Sequence, residues 1–324
     1  MHEFILFDKN FREIGKMALD LDAEYGTSND SKNDFQIVTA ELNQFKPYGG
    51  YIEGTEVGGR FEYAQNMTTI EKQTIKGWTW RGLLSQDIIR PPEGEDYYTV
   101  SGDANAIIAQ VTQNTLGGFF KTRQVQSGLN ITSYQFQRYI NTLDGLERML
   151  EKYGYRLKIT AEKENGQIAV YLEAVQAQTV EGIYNEDSRV PMRFTSDAMG
   201  INHLILGGAG QLQDRMIVDL YMDENGEISQ TQSIFGFEER TSFFDYSSAE
   251  SEEDLIQYGT ERFKELASSR KLEILSPEDL DLEIGDKVRG LFQDGTIITS
   301  PVVRKVVKIQ NGVIKTEIKI KGED

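Results

Sequence analysis

The chain contains no cysteine. That excludes disulfide staples, thiolate nucleophiles, cysteine-ligated zinc and iron–sulfur clusters. Histidine is nearly as scarce: only His2 and His203 occur. A histidine-based metal site would have to draw most of its ligands from carboxylates, and a histidine general base has two candidates, one of them near the chain start. No apolar run approaches the roughly 20 residues that cross a bilayer. The opening Met-His-Glu-Phe-Ile-Leu-Phe-Asp has an acid and a short apolar run where a secretion signal has basic residues and a longer one. The expectation is therefore a chain made in a cytoplasm, with no membrane partner. Positive charge is also short. Against 52 acidic residues stand 34 basic ones, a net charge of −18. The basic residues are scattered rather than striped, so the chain repels DNA and is a poor reader of its sequence. The acid excess serves solubility, and it would also suit a wall past which a polyanion slides without sticking.

What is present reads as an α+β, mainly β protein. At 324 residues the chain is too long for one small core and implies two or more domains. Aromatic and β-branched residues recur, punctuated by Gly and Asn. Three Asn-Gly pairs mark hairpins. Folding about Asn165-Gly166 sets Ile159 opposite Leu172 and Ala161 opposite Val170. Folding about Asn311-Gly312 pairs Ile309 with Ile314 and Val303 with Ile320, and leaves Arg304, Lys308, Lys315, Glu317 and Lys319 on the other, wet face. Asn225-Gly226 follows the less regular Ile217-Val218-Asp219-Leu220-Tyr221. Three helices are expected. The first runs from Asp103, its N-cap, to Leu116 before Gly117-Gly118. The second runs from Ser133 to Tyr153, with Phe136, Ile140, Leu143, Leu146 and Leu150 on one face. The third runs from Glu250 to Arg270, with Leu255, Gly259, Phe263 and Leu266 on one face and Glu252, Glu253 and Asp254 where the dipole favours acids. Polar breaks fall at Arg90 to Asp96, Asn185 to Pro191 and Ser247 to Asp254.

A search for chemistry returns little. Gly207-Gly208-Ala209-Gly210 follows an apolar run, but Gln211-Leu212 stands where a phosphate loop has Lys-Ser/Thr, and the next segment reads as strand rather than helix. A glycine-bearing turn or bulge is the better reading. Asp219 and Asp223 could form a carboxylate pair, yet no sequence spacing fixes the separation that glycoside hydrolysis needs. Asn29 to Asp34 supplies oxygens but lacks the Gly and Glu of a calcium loop, so a flexible loop tip is expected. Trp78 and Trp80 alternate as same-face residues of one strand. Such a pair can stack on sugar rings, but more often it fills a core or a subunit contact. Trp78, Trp80 and the adjoining Arg81 are accordingly the expected structural or subunit-contact residues. No catalytic, metal or cofactor site is expected, and the chain reads as a non-enzyme.

Several segments taken in order resemble the hub proteins of phage tails, the tail-associated or minor tail proteins of phages and prophages of Gram-positive bacteria, related to contractile-phage baseplate hubs. They are Phe4 to Asp8 with Ile14-Gly15; the bend Glu53 to Gly59; the block Ile75 to Leu84 followed by Ile88-Ile89-Arg90-Pro91-Pro92; Leu206 to Gly208 with Arg215, Leu220 and Tyr221; and Leu282 to Asp286 with the final hairpin. The similarity covers nearly the whole chain, although each motif alone is weak. The resemblance implies two β-barrel-like, tail-tube-like domains: residues 1–96 with a return strand at about 176–200, and 201–324 interrupted by the helix at about 250–271. A small α/β insertion would occupy 97–175. It implies a homotrimeric ring at the virion tail tip or baseplate, adapting a sixfold tube to a threefold tip. The expected partners are a distal tail or tail-tube ring protein and a tip, fibre or lysin protein on a separate chain, with DNA passing through the lumen unbound. No C-terminal hydrolase or fibre domain is expected. The alternatives are a host-surface carbohydrate-binding module and a peptidoglycan hydrolase.

Overall fold

The structure is a computed structural model that describes residues 3–17, 20–27, 31–39, 47–66, 73–180, 192–197, 199–223, 226–249, 251–267, 269–274, 282–291, 295, 297–310 and 313–320. It is mainly β, as the sequence suggests. The chain divides into two units. The first comprises Met1–Pro191, Ile274–Arg289 and Pro301–Ile320. The second comprises Met192–Glu273 with Gly290–Ser300 and Lys321–Asp324.

Seven strands open the first unit: β1 Phe4–Phe7, β2 Glu13–Met17, β3 Asp20–Gly26, β4 Asp34–Thr39, β5 Gly49–Ile52, β6 Gly58–Asn66 and β7 Gln73–Thr79. Helix α1 (Trp80–Ser85) follows β7 without a loop. Then come β8 Tyr98–Asp103, α2 Ala104–Thr112, β9 Phe120–Thr122, β10 Asn130–Phe136, α3 Thr142–Glu151, β11 Tyr155–Glu164 and β12 Gln167–Gln176. The second unit adds β13 Met192–Asp197, β14 His203–Gly207, β15 Ile217–Met222, β16 Ile228–Ser229, β17 Thr241–Asp245, α4 Glu252–Leu266 and β18 Ser269–Ile274. The last strands are β19 Lys287–Leu291, β20 Ile297–Gln310 and β21 Val313–Ile320.

A ten-stranded sheet runs in the order β19-β20-β3-β4-β7-β6-β5-β1-β2, with β21 beside β20. It curls into a half-barrel. Strand β1 explains how it is held. Its four residues are all buried, because successive side chains point to opposite faces and both faces are covered. Phe4 and Leu6 enter one core with Leu21, Phe35, Ile37 and Ile309. Ile5 and Phe7 enter another with Trp80, Leu146, Leu150 and Ile159. Residues 97–175, expected as a separate insertion, thus share a core with the sheet and form its α/β cover.

The hairpins follow the sequence closely. About Asn165-Gly166, Ile159 faces Leu172 and Ala161 faces Val170, and both turn residues take positive φ, 49° and 78°, as a two-residue I′ turn demands. In the last hairpin Ile309 faces Ile314, but Ile320 faces Val302 rather than Val303. An irregularity between Val302 and Arg304 absorbs one residue; the turn, Asn311-Gly312, lies outside the described residues. The arms about Gly226 pair Tyr221 with Ser229 and Met222 with Ile228, with Asn225 outside the described residues.

Three helix expectations need correction. The second helix begins at Thr142, not Ser133, because β10 pairs with β8 and Asn141 caps the helix by accepting from the Asp144 N–H at 2.9 Å. Tertiary pairing overrides the helical spacing there. The first helix ends at Thr112, with a single 3₁₀ turn at Thr115–Gly117. The third stops at Leu266, capped at its start by Ser251, and β18 pairs with β13. Of the expected return strand at 176–200, Thr179 bridges Lys287 of β19 at the edge of the first sheet, β13 pairs with β18 instead, and residues 181–191 lie outside the described residues. The terminal hairpin, assigned from sequence to a second barrel at 201–324, instead joins the first unit: β20 pairs with β3, Leu21 opposite Ile309.

In the second unit a four-stranded sheet runs β16-β15-β14-β17. Helix α4 covers one face, and Leu204, Leu206, Val218, Leu220, Leu255 and Phe263 form the core. Gly259 faces Leu206 so closely that a Cβ there would overlap its side chain. The glycine stretch 207–210 leads into a 3₁₀ turn at Leu212–Asp214 and then β15, a turn rather than a phosphate loop.

Candidate functional site

The strand–helix junction at 78–81 brings the three sequence-selected residues into different environments. Strand β7 ends at Thr79, whose hydroxyl accepts from the Gly82 N–H at 3.2 Å and donates to the Asn33 carbonyl at 2.8 Å. The chain therefore turns into α1 between the two tryptophans, and they are not neighbours on one strand face. Trp78 is half-buried against the core cluster. Trp80 is 1% exposed. Its ring stacks on Phe7 at 6.3 Å and 25° and lies 5.8 Å from Phe119. A ring so enclosed has no face to offer a sugar. Asn33, expected in a flexible tip, is also buried: its amide bridges the Gly26 backbone, donating to the carbonyl and accepting from the N–H, both at 2.8 Å.

Arg81 is the centre of the junction. It is 2% exposed. Its Nε donates to Glu56 Oε1 at 2.5 Å and one terminal nitrogen to Glu56 Oε2 at 3.3 Å. The other donates to Glu147 Oε1 at 2.5 Å. A further bond runs to the Leu157 carbonyl at 3.0 Å. One planar guanidinium thus ties together the glycine-rich bend, α1, α3 and β11, using the fork geometry that lysine lacks.

The charges do not balance, since one buried cation faces two carboxyls. Burial pushes Glu147 up to about 8 despite the opposing pull of Arg81. Burial also raises Glu56, again against Arg81. Burial works against the charge of Arg81, but Glu56 and Glu147 outweigh it and hold its pKa above the ordinary value. Glu56 grips Arg81 through both oxygens, whereas Glu147 Oε2 is buried without a partner among the described residues. Glu147 is therefore the carboxyl that keeps its proton near neutral pH.

The sign of the consequence is fixed. A group whose folded pKa lies above its unfolded value lends stability that is complete below the unfolded pKa and is lost as pH rises through the folded one. Glu147 moves from 4.5 to about 8. Relative to Glu147→Gln, the wild-type chain should lose on the order of 3–5 kcal/mol of unfolding free energy between pH 4.5 and 9. Urea titrations of both chains across that range measure the difference. Parallel curves would show that Glu147 ionises without cost.

Sequence reasoning missed both acidic partners. For Glu147 a signal exists: Leu143, Leu146, Glu147 and Leu150 follow helical i, i+3, i+4, i+7 spacing, so an acid sits inside the apolar stripe. Glu56, in a glycine-rich bend, has no such mark.

The second unit holds the other polar cluster. His203, 8% exposed, stacks on Tyr221 at 4.3 Å. Its Nε2 is 2.7 Å from Asp219 and its Nδ1 is 2.7 Å from Glu239. Asn202 adds bonds of 2.8 Å to the Glu238 carbonyl and from the Arg240 N–H. The cluster pins residues 238–241 to the open face of the sheet. Asp219 faces His203. The segment leading into this anchor leaves Phe235 65% and Phe237 105% exposed, and Met199 and Leu212, elsewhere in the unit, are 86% and 95% exposed.

No protein-family model matches the chain. No curated protein matches it. Solved structures do. The prophage tail protein gp18 from Listeria monocytogenes EGD-e aligns over 99% of this chain and 94% of its own, with a TM-score of 0.54 and 12% identity. The 43 kDa tail protein of prophage MuSo2 from Shewanella oneidensis aligns over 98% of each chain, with a TM-score of 0.54 and 10% identity. The tail protein from Neisseria meningitidis MC58 aligns over 99% of this chain and 96% of its own, with a TM-score of 0.51 and 9% identity. At such identities the likeness is one of fold, and it extends over both units.

Proposed function

We propose that this chain is a structural component of a phage-type tail, located at the tail tip or baseplate and acting as a ring-forming adaptor rather than an enzyme. The observation that carries this reading is the fold shared with three tail proteins over at least 98% of the chain. Two features support it. The junction at 78–81 spends its aromatic and charged residues on rigidity. The second unit holds four large apolar side chains in solvent, Met199, Leu212, Phe235 and Phe237, and exposed apolar groups of this kind suit burial against partners.

In this reading three copies close a ring that adapts a sixfold tube to a threefold tip. The partners are further copies, a distal tail or tail-tube ring protein, and a tip, fibre or lysin protein on another chain. The net charge of −18 favours an acidic lumen through which DNA passes without binding. Light scattering over a range of concentrations tests the ring. The expected species has three times the 36.8 kDa chain mass. A monomer at every concentration, with and without the tube protein, would remove the self-formed trimer.

A further inference from the structure

The first unit holds a cleft of about 440 Å³. Ile88, Arg90, Pro91 and Pro92 line one side, Arg138 and Tyr139 the other. Its base is fixed. The Ile89 N–H donates to the Ile140 carbonyl at 2.9 Å and the Thr142 N–H to the Asp87 carbonyl at 2.8 Å. The Asp87 carboxylate in turn accepts from the Thr115 and Thr142 hydroxyls at 2.6 and 2.9 Å. The two walls are thus held without a ligand.

Tyr139 is the unusual member. Its φ is +59°, in the left-handed region where a bulky side chain costs roughly 1–2 kcal/mol. It is nevertheless 60% exposed, so core packing does not account for it. Its ring lies 5.5 Å from the Arg138 guanidinium. Arg60 pairs with Glu62 and Arg304 with Glu24, whereas Arg90 and Arg138, like Arg12, Arg240 and Arg289, have no carboxylate partner among the described residues. Arg90 and Arg138 thus present two guanidinium groups to one cleft.

We infer that this cleft binds a carboxylate-bearing segment of another protein. Arg90 and Arg138 take the carboxylate, for which the planar fork is suited. Tyr139, Pro91 and Pro92 take an apolar neighbour. Glu95 also lines the cleft, and Glu93 and Asp96 are exposed beside it in the chain. That acidic rim repels a polyphosphate backbone more strongly than it repels a single carboxylate set among uncharged residues. The inference goes beyond the ring and does not depend on it, since the cleft could be occupied whatever the number of subunits.

The test is an NMR titration of the full chain, reading arginine Nε–H and tyrosine ring signals. The probes are acetyl-Ala-Leu-Glu-Leu-amide, its Gln analogue and inorganic phosphate. Saturable shifts at Arg90, Arg138 and Tyr139 are expected with the Glu peptide, with at least tenfold weaker binding for the Gln peptide. Arg138→Ala should abolish them. Tyr139→Gly relieves the backbone, so it should leave the melting temperature unchanged or higher while weakening the peptide. Equal response to both peptides, a response to phosphate as strong as to the Glu peptide, or no response up to about 20 mM would each overturn the inference. A fall in the melting temperature of Tyr139→Gly would do so too, by giving the ring a structural reason.

Discussion

Arg81→Ala should be among the most damaging single substitutions in this chain, with a loss of roughly 3–5 kcal/mol in unfolding free energy. The guanidinium is buried and bonded to Glu56, Glu147 and the Leu157 carbonyl. Removing it leaves two buried carboxyls and a carbonyl without their donor, which is far costlier than losing a surface pair. Arg81→Lys should recover little, because one ammonium cannot span the same acceptors. Adding Glu147→Gln to Arg81→Ala should restore part of the loss, since one buried acid disappears. Urea denaturation of the four chains reads all of this. A loss below about 1 kcal/mol for Arg81→Ala would mean that the node is solvated in solution.

Trp80→Ala should come close behind, at about 3–5 kcal/mol. The ring is enclosed between Phe7 and Phe119, and Ala leaves a cavity that the surrounding sheet and helices cannot close. Trp80→Phe should cost much less, because the indole N–H is buried without a hydrogen-bond partner among the described residues and its removal strands nothing. Trp78→Ala should fall below Trp80→Ala, as Trp78 is only half-buried. Thermal melts of the three variants rank them. Equal losses at 78 and 80 would contradict the turn between strand and helix.

That turn shows where the sequence could be read and where it could not. The spacing of Trp78 and Trp80 satisfies a strand, and nothing nearby in the chain says that Thr79 caps a helix; the cap depends on Asn33, whose carbonyl takes the Thr79 hydroxyl. The hairpin at Asn165-Gly166 was legible to the residue because its turn and both arms are local. Phe136 continues the helical spacing of Ile140 and Leu143, but its strand pairs with β8, a partner set by tertiary structure. Arg81 was legible as a residue to watch, but its partners Glu56 and Glu147 come from distant segments. Mainly β character, and the order of motifs along the chain, survive such errors because they depend on many weak signals at once.

The pairing of β20 with β3 sets the order of events during synthesis. Strand β3 is translated early, and its neighbour on one side emerges only with residues 304–309. Until then the edge of β3 stays open, and the first unit cannot complete its sheet on the ribosome however much of its chain has been made. Long-range closure of this kind is slow, and an open edge invites pairing with other chains. Finished subunits and nascent ones therefore differ at a sheet edge, so chains stalled before residue 304 should enter aggregates rather than correctly formed assemblies.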